Sequence, residues 1–332
     1  MANIAIHGFG RIGRLATRAA LGKGLFTPAS VSDITDLATL AALFKADSNY
    51  GLWPEPVSAN AGDLLIGEIR IPFTDTKERL PDWAALGVDL VIDCTGRATK
   101  REGAQAHLDS GAKKVLVSAA SKSMQDCDAV ILPGINFESY DYDAHHIVSM
   151  GSCTTNALAP VVKVLMENLG IEHGFFSTVH AYTNTQSLTD QPMKDRRDSW
   201  AASENIIPSS SGAAKALKFI WPNLDITGKA YRVPVRTGSI VELNVILSRS
   251  TTKEEVNDLF RAAASKAPLK GILGVLEEEW ASSRILGESF SSLVDLPLTQ
   301  VLGGNLLSVA AWYDNEMAYA TRLAEMAVAL TR

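Results

Sequence analysis

The feature that most constrains this sequence is at its start, where an apolar segment meets a glycine-rich turn and a helix. Asn3 to His7 has the pattern of a strand, GFGRIG follows at positions 8–13, and residues 14–21 are helix-like. In such a motif Gly8 permits a tight turn, Gly10 lets the backbone approach a pyrophosphate, and Gly13 lets helix pack on strand. The pyrophosphate lies at the helix N terminus. The arrangement predicts a doubly wound α/β domain that binds a dinucleotide.

A carboxylate follows the next predicted strand. Asp33 comes directly after Ala29 to Ser32, twenty residues beyond Gly13. At that position it would bind the adenosine ribose hydroxyls and repel a 2′-phosphate, which favours NAD over NADP. The alternative is a solvated Asp33 that caps a helix over Thr35 to Phe44.

Two nearly continuous apolar segments predict further strands of a parallel sheet covered on both faces. Val88 to Cys94 ends at Thr95-Gly96, where small residues would let a cofactor approach. Lys114 to Ser118 places Ser118 at a strand end, where ligands of such sheets bind. Ala129 to Leu132 and His146 to Met150 complete the first half.

A cysteine beside a predicted helix is the strongest candidate for covalent chemistry. Cys153 lies in SCTTN, and helix-like apolar spacing follows from Ala157 to Gly170. Unpaired N–H groups and the positive end of the helix dipole favour a thiolate there, and a thiolate is a good nucleophile. The alternative is a small buried residue, since free cysteine is commonly part of a core.

The second half of the sequence predicts another sheet, with antiparallel pairing, and a long loop. Ala181 to Ser211 lacks regular periodicity, and loops of this length in compact domains are usually functional or disordered. Ser209 to Gly212 precede a helical segment, Ala213 to Ile220, and hydroxyl and N–H groups there predict a phosphate site. Plain N-capping is the alternative, although it explains one serine only. The remaining predicted strands are Gly174 to His180, Lys229 to Val235, Ser239 to Ser248 and Ser308 to Tyr313, and the remaining helices are Lys253 to Ala267 and Glu316 to Leu330.

Composition excludes several classes of protein. The 332 residues suggest two domains, and a formal charge of −6 argues against a general binder of nucleic acid or anionic membranes. No apolar segment approaches the roughly 20 residues that span a bilayer, and the N terminus is a poor secretion signal. Cys94, Cys127 and Cys153 are an odd, sparse set that fits a reducing, cytoplasmic compartment. No close Cys/His pattern has zinc spacing, so no metal site is predicted.

The order of motifs resembles the phosphorylating glyceraldehyde-3-phosphate dehydrogenase family from end to end. The motifs that carry the resemblance are NIAIHGFGRIGR, Asp33, DCTG, GAKKVLVS, SCTTN, HAYTNTQ, NIIPSSSGAAKA, RVPV and WYDNE. It implies a Rossmann NAD domain at 1–151, completed by a C-terminal helix at 316–332, and an α+β catalytic domain at 152–315 with a mixed or antiparallel sheet. It also implies a homotetramer, in which the loop Ala181 to Ile207 lines the neighbouring subunit's cofactor site.

The same resemblance implies the catalytic roles. Cys153 would attack the aldehyde to give a thiohemiacetal, and His180 would remove its hydroxyl proton as hydride leaves to NAD. Inorganic phosphate would then release the thioester as an acyl phosphate.

The resemblance also implies binding roles. Thr183 and Arg232 would bind the substrate's own phosphate, and Ser152, Thr154, Ser211 and Gly212, with Arg197, would bind inorganic phosphate. The implied cofactor-binding residues are Gly8, Gly10, Arg11, Ile12, Gly13, Asp33, Thr95, Gly96, Ser118, Asn315 and Tyr319.

Several positions depart from the usual pattern of that family and leave the exact aldehyde open. A related reaction on erythrose 4-phosphate is one alternative, although Thr183 favours the triose. A weakly active paralogue with a binding or regulatory role is the other, and Cys153, His180, Asp33 and Asn315 together argue against it. The departures are His7 and Ser32 for Asn, Trp200 for Arg, Ser211 for Thr, Val235-Arg236-Thr237-Gly238 after RVP, Ala318 for Gly and Ala157 for a second Cys.

Overall fold

The computed structural model describes residues 2–332, which form two compact units. The first contains the residues up to Ile131, Glu138–Gly151 and Ala320–Arg332. The second contains Leu132–Phe137 and Ser152–Tyr319. The short segment 132–137 therefore belongs to the second unit, although the sequence places it in the first.

The first unit is built on a nine-stranded sheet. Its strands are β1 Ile4–His7, β2 Ser30–Asp33, β5 Val57–Asn60, β6 Asp63–Ile66, β7 Ile69–Asp75, β8 Leu90–Asp93, β9 Lys114–Val117, β10 Ala129–Val130 and β11 Ile147–Ser149, with β3 Ala46–Asp47 and β4 Gly51–Leu52 as a separate pair. The strand order is β10-β11-β9-β8-β1-β2-β7-β6-β5, and all pairs are parallel except β5–β6 and β6–β7. The order reverses between β1 and β8, where ligands of doubly wound sheets bind. The predicted parallel α/β fold is confirmed.

Seven α-helices are found in the described residues. They are α1 Arg11–Gly22, α2 Leu37–Lys45, α3 Arg101–Asp109, α4 Cys153–Asn168, α5 Ala213–Ile220, α6 Lys253–Ser265 and α7 Met317–Ala329. The cap of α2 is Asp36, whose side chain accepts a hydrogen bond from the Thr39 N–H at 2.9 Å. The alternative in which Asp33 caps this helix is therefore wrong.

The second unit contains an eight-stranded mixed sheet. Its strands are β12 Ile171–Ala181, β13 Ile207–Ser210, β14 Ile226–Val233, β15 Ser239–Leu247, β16 Leu273–Leu276, β17 Ser292–Asp295, β18 Gln300–Leu302 and β19 Leu306–Tyr313. The order is β13-β14-β12-β15-β19-β17-β16, with β18 beside β19. The β12–β14 and β16–β17 pairs are parallel and the others antiparallel, which confirms the predicted mixed sheet.

Helices α4, α5 and α6 bury one face of this second sheet. Phe176 of β12, Val161 of α4, Leu217 of α5 and Phe260 of α6 belong to one core, and each is at most 2% exposed. Burial of such side chains contributes roughly 1.5–3 kcal/mol each. No helix in the described residues is both long and apolar enough to cross a membrane.

Candidate functional site

Packing explains two of the three glycines in the first unit's turn, and open space explains the third. A Cβ on Gly8, whose φ is +87°, would lie 2.7 Å from the Thr95 nitrogen, and a Cβ on Gly13 would lie 2.1 Å from the Gly8 oxygen. No heavy atom lies within 4 Å of a Cβ built on Gly10. Gly10 is the N-cap of α1 and provides no side-chain cap, and the N terminus of such a helix favours an anion. Arg11 and Ile12 are the first two residues of that helix.

Asp33 is held against the same turn. One carboxylate oxygen accepts the Phe9 N–H at 2.6 Å, and the other accepts the Thr35 N–H at 2.9 Å. A carboxylate has about four lone-pair positions, so two remain for ribose hydroxyls. The carboxylate is thus fixed at the carboxyl end of β2, where the adenosine side of a dinucleotide would bind.

The ends of β8 and β9 complete this edge of the first sheet. The backbone N–H and hydroxyl of Thr95 both donate to Asp93 Oδ1, at 3.0 and 2.8 Å. Gly96 has φ +69°, and the Ser118 N–H bonds to the Asp93 carbonyl at 2.9 Å. The cofactor-binding residues predicted in the first half therefore follow adjacent strand ends, with open space at Gly10. These observations fit NAD.

A buried polar cluster, His7, Asp93 and His107 with Trp83, lies beneath the turn. Trp83 Nε1 donates to His107 Nδ1 at 3.1 Å, so the proton of His107 is on Nε2, which faces Asp93 Oδ2 at 3.1 Å. His7 Nδ1 lies 2.8 Å from Ser32 Oγ. Potential metal-ligand atoms of three residues, His7, Asp93 and His107, lie within 4.8 Å of one another here, which sequence spacing did not reveal. The hydrogen bonds of His107 occupy both of its ring nitrogens, so we interpret the group as a hydrogen-bonded cluster.

This cluster makes stability depend on pH. Burial, and next the nearby His107, lower the pKa of His7 from 6.5 to about 4. As the pH falls below 6.5, the unfolded chain takes up a proton at His7 that the folded chain does not, so folding stability is lost until the pH reaches about 4. We expect His7→Asn to reduce the difference in unfolding free energy between about pH 8 and about pH 5 by about 2 kcal/mol.

Urea titration at the two pH values measures this change. His146→Asn, at an exposed ring, is the matched control and should leave the difference as it is in the parent protein. An equal pH dependence in the His7 variant and the parent would contradict the assignment.

In the second unit, a capping box places Cys153 at the first position of α4. The Ser152 hydroxyl accepts the Thr155 N–H at 3.1 Å, and the Thr155 hydroxyl accepts the Ser152 N–H at 3.1 Å. Such a box satisfies two of the free N–H groups at a helix start. The predicted position of Cys153 at a helix N terminus is confirmed, and the Ser152 side chain is used for capping.

Cys153 faces a histidine from β12. Its Sγ lies 3.4 Å from His180 Nε2, within the sulfur hydrogen-bond range, and His180 is 3% exposed. His180 Nδ1 lies 2.7 Å from the Ala181 carbonyl oxygen, which can only accept. Arg232 Nη1, which can only donate, lies 2.5 Å from the same nitrogen and favours the other tautomer. In the tautomer with the proton on Nδ1, which the carbonyl favours, the Nε2 lone pair faces the thiol. Cys153 and His180 are thus 27 residues apart in sequence and in contact in space.

Arg232 contacts this pair and contributes, after burial, to the pKa of both groups. It is aligned with His180 in the parallel β12–β14 register, and its Nη1 lies 2.5 Å from His180 Nδ1 and 3.4 Å from the Ala181 oxygen. Burial, and next this guanidinium, lower the pKa of His180 to about 3. The imidazole of His180 is therefore neutral at physiological pH.

The resting state of Cys153 differs from the sequence expectation. Burial raises the pKa of the Cys153 thiol, and the charge of Arg232 and hydrogen bonds from Thr154 only partly offset it. The helix N terminus does not by itself produce a standing thiolate, because desolvation of the sulfur is the larger effect. The imidazole of His180 is the titratable group in contact with this thiol.

Three residues near Cys153 and His180 were not identified as site residues from the sequence. They are Tyr313, Thr178 and Ser239. Tyr313 of β19 is 1% exposed, and its hydroxyl bonds to Thr154 Oγ1 at 3.0 Å and to Thr178 Oγ1 at 2.8 Å. Its ring meets that of His180 edge-on, with centroids 5.9 Å apart. Thr154 is thus anchored in the interior rather than free at a surface. The only signal in the sequence was a tyrosine directly before Asp314-Asn315.

The third such residue, Ser239, connects the end of β12 to Asn315. The Ser239 hydroxyl accepts the Ala181 N–H at 3.1 Å and donates to Asn315 Oδ1 at 2.9 Å. Asn315 is 6% exposed, and its amide N–H groups donate to no partner among the described residues. They are available to a carboxamide oxygen such as that of nicotinamide. Tyr319, three residues into α7, is 5% exposed.

Of the residues predicted to bind phosphate, Thr183 and Arg232 form one group at the end of the second sheet, and Arg197 lies apart from them in the long loop. Thr183 follows β12 by two residues, and Arg232 comes one residue before the end of the parallel neighbour β14, so both lie at the same end of the sheet. Arg232 Nε is buried and has no hydrogen-bond partner among the described residues. Arg197 lies exposed in a 3₁₀ turn of the long loop, and no contact of the described residues joins its guanidinium to this group.

The serine-rich segment is corrected by the structure. Ser209 and Ser210 do not open a helix but end β13, paired with β14. Ser211 Oγ accepts the Ala213 N–H at 3.3 Å, and Gly212 is the N-cap of α5 without a side-chain bond. Only one of the three serines, Ser211, therefore bonds to the start of α5.

Comparison with known proteins decides the family. Residues 2–101 match the family model of the "Glyceraldehyde 3-phosphate dehydrogenase, NAD binding domain". Residues 152–315 match the family model of the "Glyceraldehyde 3-phosphate dehydrogenase, C-terminal domain". The chain belongs to the glyceraldehyde-3-phosphate dehydrogenase family. It is 48% identical to the glyceraldehyde-3-phosphate dehydrogenase of Kitasatospora aureofaciens over 97% of both chains. It is 44% identical to that of Geobacillus stearothermophilus, over 98% of this chain and 96% of the relative.

The positions that depart from the usual pattern of the glyceraldehyde-3-phosphate dehydrogenase family can now be placed in the structure. His7 and Ser32, which replace two Asn residues, bond to each other beneath the turn. Ala318 is buried, whereas Trp200 is 54% exposed and Arg236 is also exposed. The departures thus do not replace Cys153 or His180, the two residues in contact at the candidate active site.

Proposed function

We propose that this chain oxidises and phosphorylates glyceraldehyde 3-phosphate to 1,3-bisphosphoglycerate with NAD, as an enzyme of glycolysis and gluconeogenesis. The observation that carries the proposal is the 3.4 Å contact of Cys153 Sγ with His180 Nε2 in a chain of this family. The reaction needs a sulfur nucleophile, a neutral base and two anion sites, and each has candidate residues in the second unit.

In the proposed reaction, the neutral imidazole of His180 accepts the thiol proton as Cys153 attacks the aldehyde carbon. The backbone N–H of Cys153, at the free start of α4, and the protonated imidazole then stabilise the oxyanion. The protonated His180 returns this proton to the oxyanion, which gives the thiohemiacetal hydroxyl, and the neutral imidazole takes it back as the hydride leaves. NAD supplies the hydride acceptor at this stage, and Asn315 and Tyr319 are proposed to hold its nicotinamide. Attack of inorganic phosphate on the thioester releases the product.

The binding roles are proposed from placement and charge. Arg232, with an unpaired buried Nε, and Thr183 take the substrate's own phosphate. Gly8, Gly10, Gly13, Arg11 and Ile12 receive the pyrophosphate, while Asp33, Thr95, Gly96 and Ser118 line the remaining cofactor contacts. Ser152, Thr154, Ser211, Gly212 and Arg197 are assigned to inorganic phosphate. For Thr154 the backbone N–H is the candidate, because its hydroxyl is bonded to that of Tyr313. For Ser152 the candidate is the hydroxyl proton, because its N–H bonds to Thr155 Oγ1 and its oxygen accepts the Thr155 N–H.

An aldehyde panel tests this function. We expect purified protein to form NADH from glyceraldehyde 3-phosphate only when phosphate is present, and to prefer this aldehyde to erythrose 4-phosphate. Preference for the four-carbon sugar would overturn the substrate assignment. Failure to turn over any aldehyde would instead favour a paralogue with a binding role.

Cofactor selectivity is expected to depend on Asp33. Asp33→Gly should lower kcat/KM for NAD about 10- to 100-fold, because hydrogen bonds to a charged group are lost. The NADP/NAD ratio of kcat/KM should rise, because the charge that repels a 2′-phosphate is gone. Asp36→Asn, a nearby substitution that keeps a capping side chain, is the control and should leave the ratio unchanged. If Asp33→Gly left the NAD/NADP preference unchanged, Asp33 would not have this role.

A homotetramer is part of the proposal. The sheet face opposite the helices of the second unit carries Phe175 at 66% and Val179 at 42% exposure. Val179 pairs with Tyr231 and Ile240 on the neighbouring strands, which extends this apolar surface. Such a surface on a soluble chain supports association with other copies. A solution mass near four times 35.6 kDa is expected, and a monomer mass would contradict it.

The cytoplasm is the proposed location. Cys94, Cys127 and Cys153 are all free thiols, which suits a reducing compartment.

A further inference from the structure

Beyond the residues assigned above, the loop after β12 contains a closed ring of side-chain hydrogen bonds. Its members are Thr183, Thr185 and Gln186, and it is tied to Asp198 on the far side of the same loop. Gln186 is 8% exposed, although it lies in a loop. A buried amide in such a position usually has a structural or functional reason, because leaving it unpaired would be costly.

Gln186 uses its full hydrogen-bonding capacity. Its Oε1 accepts the Thr183 N–H at 3.0 Å and the Thr183 hydroxyl at 3.1 Å. Its Nε2 donates to Thr185 Oγ1 at 2.9 Å and to Asp198 Oδ1 at 2.9 Å. A primary amide offers two N–H groups and two lone pairs, so all four are occupied.

Asp198 fixes which way the amide points. A carboxylate oxygen can only accept, so the nitrogen of Gln186 must face Asp198 and the oxygen must face Thr183. The direction of the ring follows. Thr183 donates to Gln186, Gln186 donates to Thr185, and the remaining hydroxyl proton of Thr185 points to Thr183 Oγ1 at 2.9 Å.

The ring therefore holds the Thr183 oxygen in one place while leaving its proton movable. When an anion approaches, the Thr183 hydroxyl can turn its proton from Gln186 to the anion. Gln186 Oε1 still accepts the Thr183 N–H, so it is not left unpaired. The hydroxyl is thus prepositioned as a donor, and prepositioning reduces the entropy lost on binding.

We propose that Gln186 and Asp198 are positioning residues that orient Thr183 and thereby set the preference for an aldehyde that carries a phosphate. This inference rests on the proposed function, in which Thr183 and Arg232 bind the substrate phosphate. Neither Gln186 nor Asp198 touches the reacting carbon. Their effect is therefore on KM for the phosphorylated substrate and not on the chemical steps at Cys153.

The test compares glyceraldehyde 3-phosphate with glyceraldehyde, which lacks the phosphate. We expect Gln186→Ala to raise KM for the phosphorylated substrate about tenfold, the equivalent of one hydrogen bond to a charged group, with kcat within about twofold. The kcat/KM for glyceraldehyde should not change. An equal loss on both aldehydes, or no rise in KM, would overturn the proposal.

Two variants at Asp198 distinguish the hydrogen bond from the charge. Asp198→Asn retains an oxygen that can accept from Gln186 and should keep KM close to that of the parent. Asp198→Ala removes the acceptor and should raise KM for the phosphorylated substrate. If both variants behaved alike, orientation of Gln186 by this carboxylate would not be the cause.

Asp190→Ala is the matched loop control. Asp190 Oδ1 accepts the Ala201 N–H at 2.9 Å, so this substitution removes a bond of the same loop without touching the ring. It should leave KM for both aldehydes unchanged, and a tenfold rise would show that general loop rigidity is responsible. The parent enzyme separates the two levels of inference. An inactive parent refutes the proposed function, whereas an active parent whose preference survives Gln186→Ala refutes only the ring.

Discussion

Replacing Cys153 by serine is expected to lower kcat for glyceraldehyde 3-phosphate by about 10³-fold or more, while NAD still binds. The serine hydroxyl has a far higher pKa than a thiol, and a neutral His180 is too weak a base to produce an alkoxide. The capping box of Ser152 and Thr155 does not involve the sulfur, so α4 should keep its N terminus.

Steady-state NADH formation and NAD titration by fluorescence measure the two halves of this prediction. Cys127→Ser is the control, because Cys127 is a buried thiol of the first unit and has no proposed catalytic role. If Cys153→Ser retained a rate near that of the parent, the covalent mechanism would be wrong.

Replacing His180 by asparagine is expected to lower kcat by about 10²- to 10⁴-fold, the usual contribution of a positioned acid or base. The asparagine amide can still donate toward the Ala181 carbonyl, so the end of β12 should be preserved. No group then remains beside the sulfur to accept the thiol proton or the proton of the thiohemiacetal.

The pH profile gives this second prediction a sharper form. Because His180 has a pKa of about 3, its protonation does not limit the parent enzyme near neutral pH, and activity should fall only at much lower pH or on unfolding. In His180→Asn the rate should instead rise with pH, as hydroxide and the ionised thiol replace the missing base. A flat profile with a near-parent rate would show that another group is the base.

The glycine turn and the position of Cys153 at the start of a helix could be predicted from the sequence because their signals are local. A strand, a glycine turn and a helix are encoded by neighbouring residues, and so is the start of α4 at Cys153. The family resemblance supplied His180, whose distance from the sulfur no local pattern specifies. Tyr313, by contrast, meets Thr154 across 159 residues and Thr178 across 135, so its hydrogen bonds were not predictable.

Other misses have specific physical causes. The hairpin of β5 and β6 turns at Ala61 and Gly62, with φ values of 49° and 87°. Two positive φ values normally require Asn-Gly or Asp-Gly, so an alanine at the first position conceals the turn. The raised pKa of the Cys153 thiol was unexpected for another reason. The helix N terminus was visible in the sequence, whereas the burial that outweighs it depends on tertiary packing.

The hydroxyl of Ser239 makes two hydrogen bonds to different parts of the second unit. Its oxygen atom accepts from Ala181, at the end of the strand that carries His180. The same hydroxyl donates to Asn315, whose amide is proposed to bind the nicotinamide. A substitution of Ser239 that changes one of these two hydrogen bonds therefore also changes the other. We expect only residues with a small hydroxyl side chain to be tolerated at this position. Changes in the affinity for the cofactor would then arise from substitutions elsewhere in the chain.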